Sequence, residues 1–134
     1  MSWVELFNVF AVCHLTGDFV LQTNWQALNK FGGLGRDPER RRALASHVLT
    51  YTVSYIPALI WIAVERSVLW GLVAAVLIAV PHWIQDDGRL LAAFRRKVKK
   101  LGDPPTPPPP VYLMVDQSFH AVALFGVALL VGLA

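Results

Sequence analysis

Four long apolar stretches, each carrying histidine or aspartate near one end, constrain this chain more than any other feature. A transmembrane helix needs about 20 mostly apolar residues, and windows at 3–22, 43–64, 68–84 and 111–133 supply four in a chain of 134 residues. Only 16% of the residues are charged and 55% are hydrophobic, against about a quarter charged in soluble domains. An ordinary soluble domain is therefore excluded. The predicted fold is all-α, an integral-membrane four-helix bundle, with 1–134 read as a single transmembrane domain. The first window is expected to stay in the mature protein. No Lys or Arg precedes it, it contains Glu5, and its far end carries His14 and Asp18 instead of a small-residue cleavage site. One cysteine, Cys13, rules out an internal disulfide and any CxxC metal knuckle.

Charge sets the expected orientation, because Lys and Arg are retained on the cytoplasmic side in short loops. Lys30, Arg36, Arg40, Arg41 and Arg42 lie between spans one and two, and Arg89, Arg95, Arg96, Lys97, Lys99 and Lys100 between spans three and four. Only Arg66 stands in the remaining turn. Both termini are thus placed outside and the long loops in the cytoplasm. Confinement of the charge to loops points to membrane lipids as partners, with no nucleic acid. Phe31-Gly32-Gly33-Leu34-Gly35 reads as a flexible break, after which Asp37 caps and Pro38 opens a short basic helix leading into span two. Residues 90–100 alternate apolar and basic as an interfacial helix would, and the prolines between 104 and 110 predict an extended spacer.

Ionisable groups inside hydrocarbon are costly and by default mark a functional site. Span one has His14 and Asp18, span two His47, span three His82 and Asp86 with Asp87 behind it, and span four Asp116 and His120. In three spans histidine and carboxylate are four residues apart, hence on one helical face. With the topology above, all seven residues named besides Asp87 fall in the cytoplasmic third of the membrane, where facing helices of a bundle can assemble a metal site. The candidate metal ligands are His14, Asp18, His47, His82, Asp86, Asp116 and His120. Imidazole with carboxylate suits a divalent metal, zinc foremost, with iron or manganese as alternatives and one or two ions. Asp86, or failing that Asp87, is the candidate catalytic base. Gln22 and Gln117 are read either as supports for the ligands or as solvated interface residues. Gly17 is expected to permit close helix approach, Pro81 to loosen span three, and Pro57 to make an unrelated kink. Cys13 points away from His14 and is not counted as a ligand.

The blocks His14-Leu-Thr-Gly-Asp18-Phe-Val-Leu-Gln22, Ser46-His47-Val-Leu-Thr-Tyr51, His82-Trp-Ile-Gln-Asp86 and Asp116-Gln117-Ser-Phe-His120 resemble a small bacterial integral-membrane family known as domain of unknown function 3307. The resemblance covers nearly the whole chain and implies a four-helix protein of the bacterial inner membrane, without an activity. In size and in its His/Asp motifs the chain is also similar to SOS-regulated membrane-bound metal-dependent hydrolases. It lacks their N-terminal His-Arg pair, having Cys13-His14-Leu15 instead, so that hydrolase activity is carried over by analogy alone.

These features lead to the expectation of a metal-dependent hydrolase using metal-activated water on a lipid ester or phosphoester at the cytoplasmic leaflet. Its rivals are a metal-ion or proton transporter or channel, a haem or other redox protein, and a non-catalytic membrane subunit with a structural site. A transporter needs polar groups along its whole path, and the outer parts of the spans offer only Asn8, Thr50, Thr52 and Ser54. Short spans with much outward surface leave homo-oligomerisation open, with Gly126 and Gly132 as the local hints.

Overall fold

The computed structural model describes residues 1–104 and 108–134. The expected proline spacer includes residues 105–107, which lie outside the described residues. Among the described residues every regular element is helical.

Helix α1, Trp3–Leu15, starts from a reciprocal cap. The Glu5 backbone N–H donates to the Ser2 hydroxyl, and the Ser2 N–H donates to the Glu5 carboxylate at 2.6 Å; such a cap contributes about 1 kcal/mol. The chain then widens into a π-helical segment, Thr16–Leu21, so the first expected span is one path with two pitches. Short α2, Asn24–Asn29, is capped the same way by Thr23 and Gln26. Its sequence lay within the loop expected between the first two spans.

Asp37 accepts from the Glu39 and Arg40 backbone N–H groups and opens α3, Pro38–Ser54. The basic turn is therefore the beginning of the second long helix and not a separate one. That helix breaks at Tyr55, and α4, Ile56–Glu65, continues at 50° to it, with Pro57 in its first turn. Proline lacks the N–H that an unbroken helix would use there. Helix α5, Val68–Asp86, runs through Pro81 without interruption. Gly88, at φ +75°, turns the chain into α6, Arg89–Lys97, the expected amphipathic segment. Helix α7, Pro110–Leu133, completes the fold.

Helix α1 packs on α7, α7 on α5, and α5 on both α3 and α4. Leu6, Phe10, Ile62, Ala74, Ala128 and Val131 fill the space between them. Outward-facing aliphatic side chains remain uncovered along the helices: Val64 is 79% exposed, Val20 74% and Val122 71%. Apolar surface on this scale marks contact with a membrane or another protein. Three helical stretches, Trp3–Leu21, Val68–Asp86 and Pro110–Leu133, are long and apolar enough to cross a membrane, and α3 with α4 makes a fourth if the bent pair is one span.

The two ends of the helices differ in their joints. At one end the Arg66 guanidinium donates to the Gly132 carbonyl at 3.1 Å, and α7 approaches α1 so closely that a Cβ on Gly132 would lie 2.6 Å from the Trp3 Cα. Gly132 is thus consumed within the chain and gives no hint of self-association. At the other end the two basic loops are tied together. Asp87 accepts from the Gly32 N–H with its carbonyl and from the Leu34 N–H with its carboxylate, each at 2.8 Å. The glycine-rich stretch is consequently an anchored turn, with Gly32 at φ +76°, where a free break was expected.

Candidate metal centre

Each cluster residue reaches the site by a specific local device. The π-helical segment carries Asp18, and π turns inserted in α-helices are frequent at functional sites. Gly17 makes this possible: a Cβ there would meet the Tyr51 ring at 2.6 Å, so glycine lets the segment lie against α3. The four-residue spacing puts His82 above Asp86 on α5 and Asp116 below His120 on α7, while α3 contributes His47.

The structure brings all seven expected ligands into one contiguous group. His47 Nε2 lies 2.7 Å from Asp86 Oδ2 and 3.3 Å from Asp18 Oδ1; His82 Nε2 lies 3.1 Å from Asp86 Oδ2. His120 Nε2 is 3.4 Å from Asp86 Oδ1 and 3.8 Å from Asp116 Oδ1. His14 approaches from the far side, its Nδ1 3.6 Å from Asp18 Oδ2 and its ring centroid 5.2 Å from that of His120. Three sets have donor atoms within 4.8 Å of one another: Asp18, His47, His82 and Asp86; His14, His82 and His120; and Asp86, Asp116 and His120. They share His82, His120 and Asp86. These buried groups could hold a metal ion.

Hydrogen bonding within the cluster is incomplete. Among the described residues, Asp18 Oδ1, His47 Nδ1 and His120 Nε2 are buried without a partner in hydrogen-bond geometry, whereas buried polar atoms nearly always have one. His82 Nε2 and His47 Nε2 are 3.1 Å apart, as are His82 Nδ1 and His120 Nδ1. A neutral imidazole has one donor nitrogen and one acceptor nitrogen. A cation among these lone pairs would satisfy nitrogen and carboxylate oxygen together, so the donor set fits a metal ion.

Four further residues border the cluster: Lys30 and Tyr51, not expected there, and Gln22 and Gln117, which the sequence left between ligand support and solvated interface. Lys30, read from the sequence as one of the loop charges that set topology and meet lipids, reaches into the cluster: its Nζ donates to Asp86 Oδ2 and to Gln22 Oε1, both at 2.9 Å. Gln22 therefore holds Lys30. Gln117 lies against His14, with 2.8 Å between Oε1 and Nε2. Tyr51 stacks on His82, with ring centroids 3.4 Å apart and planes at 5°, and its hydroxyl meets His14 Nδ1 at 3.1 Å. The signal available for Tyr51 was its four-residue spacing from His47.

The structure places the two candidate bases differently. Asp87 lies outside the cluster, with its carboxylate bound by Arg89 at 2.6 Å and by the Leu34 N–H. Burial alone would raise this carboxyl, but Arg89 and the Leu34 N–H outweigh it and hold it below the usual carboxylate range. Asp87 straps the two basic loops together. Asp86 is in the cluster but enclosed, its two oxygens facing three imidazoles and Lys30. Such an arrangement suits a ligand better than a free base. Asp116 is the more open carboxylate, its side chain 29% exposed against 2% for Asp86. Cys13 lies in the apolar core with Tyr55 and Leu6.

No curated protein and no solved structure matches the chain, so the likeness to the membrane-bound hydrolases finds no support among known proteins. A family model described as "Protein of unknown function (DUF3307)" matches residues 6–133, nearly the whole chain and all the motif blocks on which the resemblance rested, and the chain belongs to this family.

Proposed function

We propose that this protein is a four-helix bundle of the bacterial inner membrane whose His/Asp cluster holds one divalent metal ion, zinc by preference, for hydrolysis of a lipid ester or phosphoester at the cytoplasmic leaflet. The observation that carries the proposal is the convergence of four imidazoles and three carboxylates, some of whose buried atoms have no hydrogen-bond partner. Charge favours a single ion. Asp18, Asp86 and Asp116 contribute three negative charges and Lys30 one positive, so one divalent cation brings the site to neutrality with its imidazoles neutral. Asp18, His47, His82 and Asp86 form the four-donor set suited to tetrahedral zinc, with His120 and His14 adjacent. The eleven Lys and Arg residues in the two tied loops support the cytoplasmic assignment of this end.

When bound, the ion supplies polarisation of a carbonyl or phosphoryl oxygen and acidification of a water. The protein residues do the rest. Asp116, the more open carboxylate, takes the base role assigned from sequence to Asp86. Lys30 uses two of its three N–H donors on Asp86 and Gln22, and the third serves an anionic ester oxygen. The closed apolar half beyond the cluster speaks against a transport path. Thr52 and Ser54 there donate to backbone carbonyls. The test is a screen of zinc-reconstituted protein in lipid micelles against carboxylic esters and phosphoesters of glycerolipids. Hydrolysis that requires metal and is lost in Asp116→Asn is the expected result, and no hydrolysis above the metal-free background with any substrate overturns the enzyme.

A further inference from the structure

Beyond the cluster, a row of hydroxyl groups runs from His14 into the apolar core. His14 Nδ1 is 3.1 Å from the Tyr51 hydroxyl, which is 2.7 Å from the Tyr55 hydroxyl, which donates to the Phe10 carbonyl at 3.2 Å. Tyr51 and Tyr55 are essentially inaccessible, at 1% and 0% exposure, so water does not complete their hydrogen bonding. We infer that this row is a one-way chain in which Tyr51 and Tyr55 hold the His14 proton on Nδ1 and leave Nε2 as the bare nitrogen, available to a metal.

The direction follows from counting hydrogens. A carbonyl only accepts, so the single hydrogen of Tyr55 goes to Phe10. Tyr55 then has none to give Tyr51, and Tyr51 donates to Tyr55. Tyr51 in turn has none to give His14, so Nδ1 carries the hydrogen in the remaining contact. Asp18 Oδ2, 3.6 Å from Nδ1, is a carboxylate oxygen on the same side as the Tyr51 hydroxyl and favours the same arrangement. A neutral imidazole carries one N–H, which makes Nε2 a bare lone pair. Gln117 must then turn its NH2 toward Nε2, the reverse of the placement with Oε1 at 2.8 Å, which brings its oxygen toward Asp116 Oδ2, now 3.3 Å from the Gln117 nitrogen. The Asp116 side chain, 29% exposed, has room to rotate away. The opposite direction would leave the Tyr55 oxygen and the Phe10 carbonyl facing each other in the core with no hydrogen between them.

Metal-binding histidines are usually fixed in this way, with the second ring nitrogen donating to a partner that sets the tautomer. Tyr51 and Tyr55 are accordingly positioning residues. The inference rests on the metal reading only for the use of Nε2 as ligand; the tautomer is measurable without metal. Nitrogen NMR of 15N-histidine-labelled, metal-free protein in detergent at pH 8 reads it directly, with only four histidines to separate and His14 assigned by its loss in His14→Gln. The expected wild-type signal is Nδ1–H. In Tyr51→Phe and Tyr55→Phe the proton moves to Nε2, and zinc affinity falls about tenfold. A wild-type proton on Nε2, alone or together with one on Nδ1, overturns the inference, as does a tautomer that neither variant changes. The wild-type spectrum decides the direction even if a variant fails to fold. The expected tautomer combined with no zinc uptake overturns the metal reading while leaving the hydroxyl chain standing.

Discussion

At the end of the helices that carries the termini, Leu6, Ile62, Ala74 and Val131 meet through hydrocarbon alone, each fully buried or nearly so. A few turns away the same helices meet through His47, His82, His120 and Asp86, equally buried but with donors and acceptors that do not pair off. The first region is held by packing, which is cheap to satisfy and gives stability. The second gathers groups whose desolvation is costly unless each is paired, and it is joined to loops through Lys30 and Asp87. Apolar packing and the polar cluster thus occupy opposite ends of the helices.

Separate substitutions should pull the two apart. Leu6→Ala in the hydrocarbon end is expected to cost about 2–5 kcal/mol of stability, seen as a lower thermal midpoint in detergent, while the folded fraction keeps its zinc affinity within about twofold. Asp18→Asn should do the reverse, lowering zinc affinity by about 100-fold in a chelator competition, with stability changed by about 1 kcal/mol or less. A Leu6→Ala protein that folds and yet fails to bind zinc would break the distinction. Lys30→Gln removes the ammonium that competes for Asp86 Oδ2, so zinc should bind about tenfold more tightly, the sign expected for removal of a nearby positive charge. The smallest effect belongs to the strap. Because the Asp87 carboxyl is held below its ordinary range, its contribution is complete above that range and is lost as pH falls through the depressed folded value. Hydrogen exchange at the Leu34 amide should therefore accelerate severalfold in acid relative to its intrinsic rate, and Asp87→Ala should show the faster behaviour already at pH 7.

The hydrocarbon end was legible in the sequence because long apolar runs carry their meaning in one dimension, and observed helix limits differ from the expected windows chiefly where basic turns extend α3. The clustered residues were legible for a related reason: four-residue spacing fixes a helical face, and position within a span fixes depth. What escaped was set by packing between elements. Lys30 looks like any other loop charge until α2, Gln22 and the anchored turn carry it to Asp86. The π-helical segment at Asp18 depends on the fit of Gly17 against Tyr51 across two helices. Asp86 and Asp87 are adjacent in sequence, but one rotation of the helix end sends the first into the cluster and the second to Leu34 and Arg89. Nothing local in the sequence shows that the Tyr51 and Tyr55 hydroxyls touch His14 and Phe10.

The central claim is that the buried cluster holds a metal ion. Elemental analysis of protein purified in detergent, alongside an Asp18→Ala, His120→Ala double variant, tests it most directly. The account predicts close to one equivalent of a divalent transition metal, zinc by preference, in the wild type and none in the variant. No metal in the wild type, even after incubation with zinc, iron or manganese and removal of the excess, would contradict it.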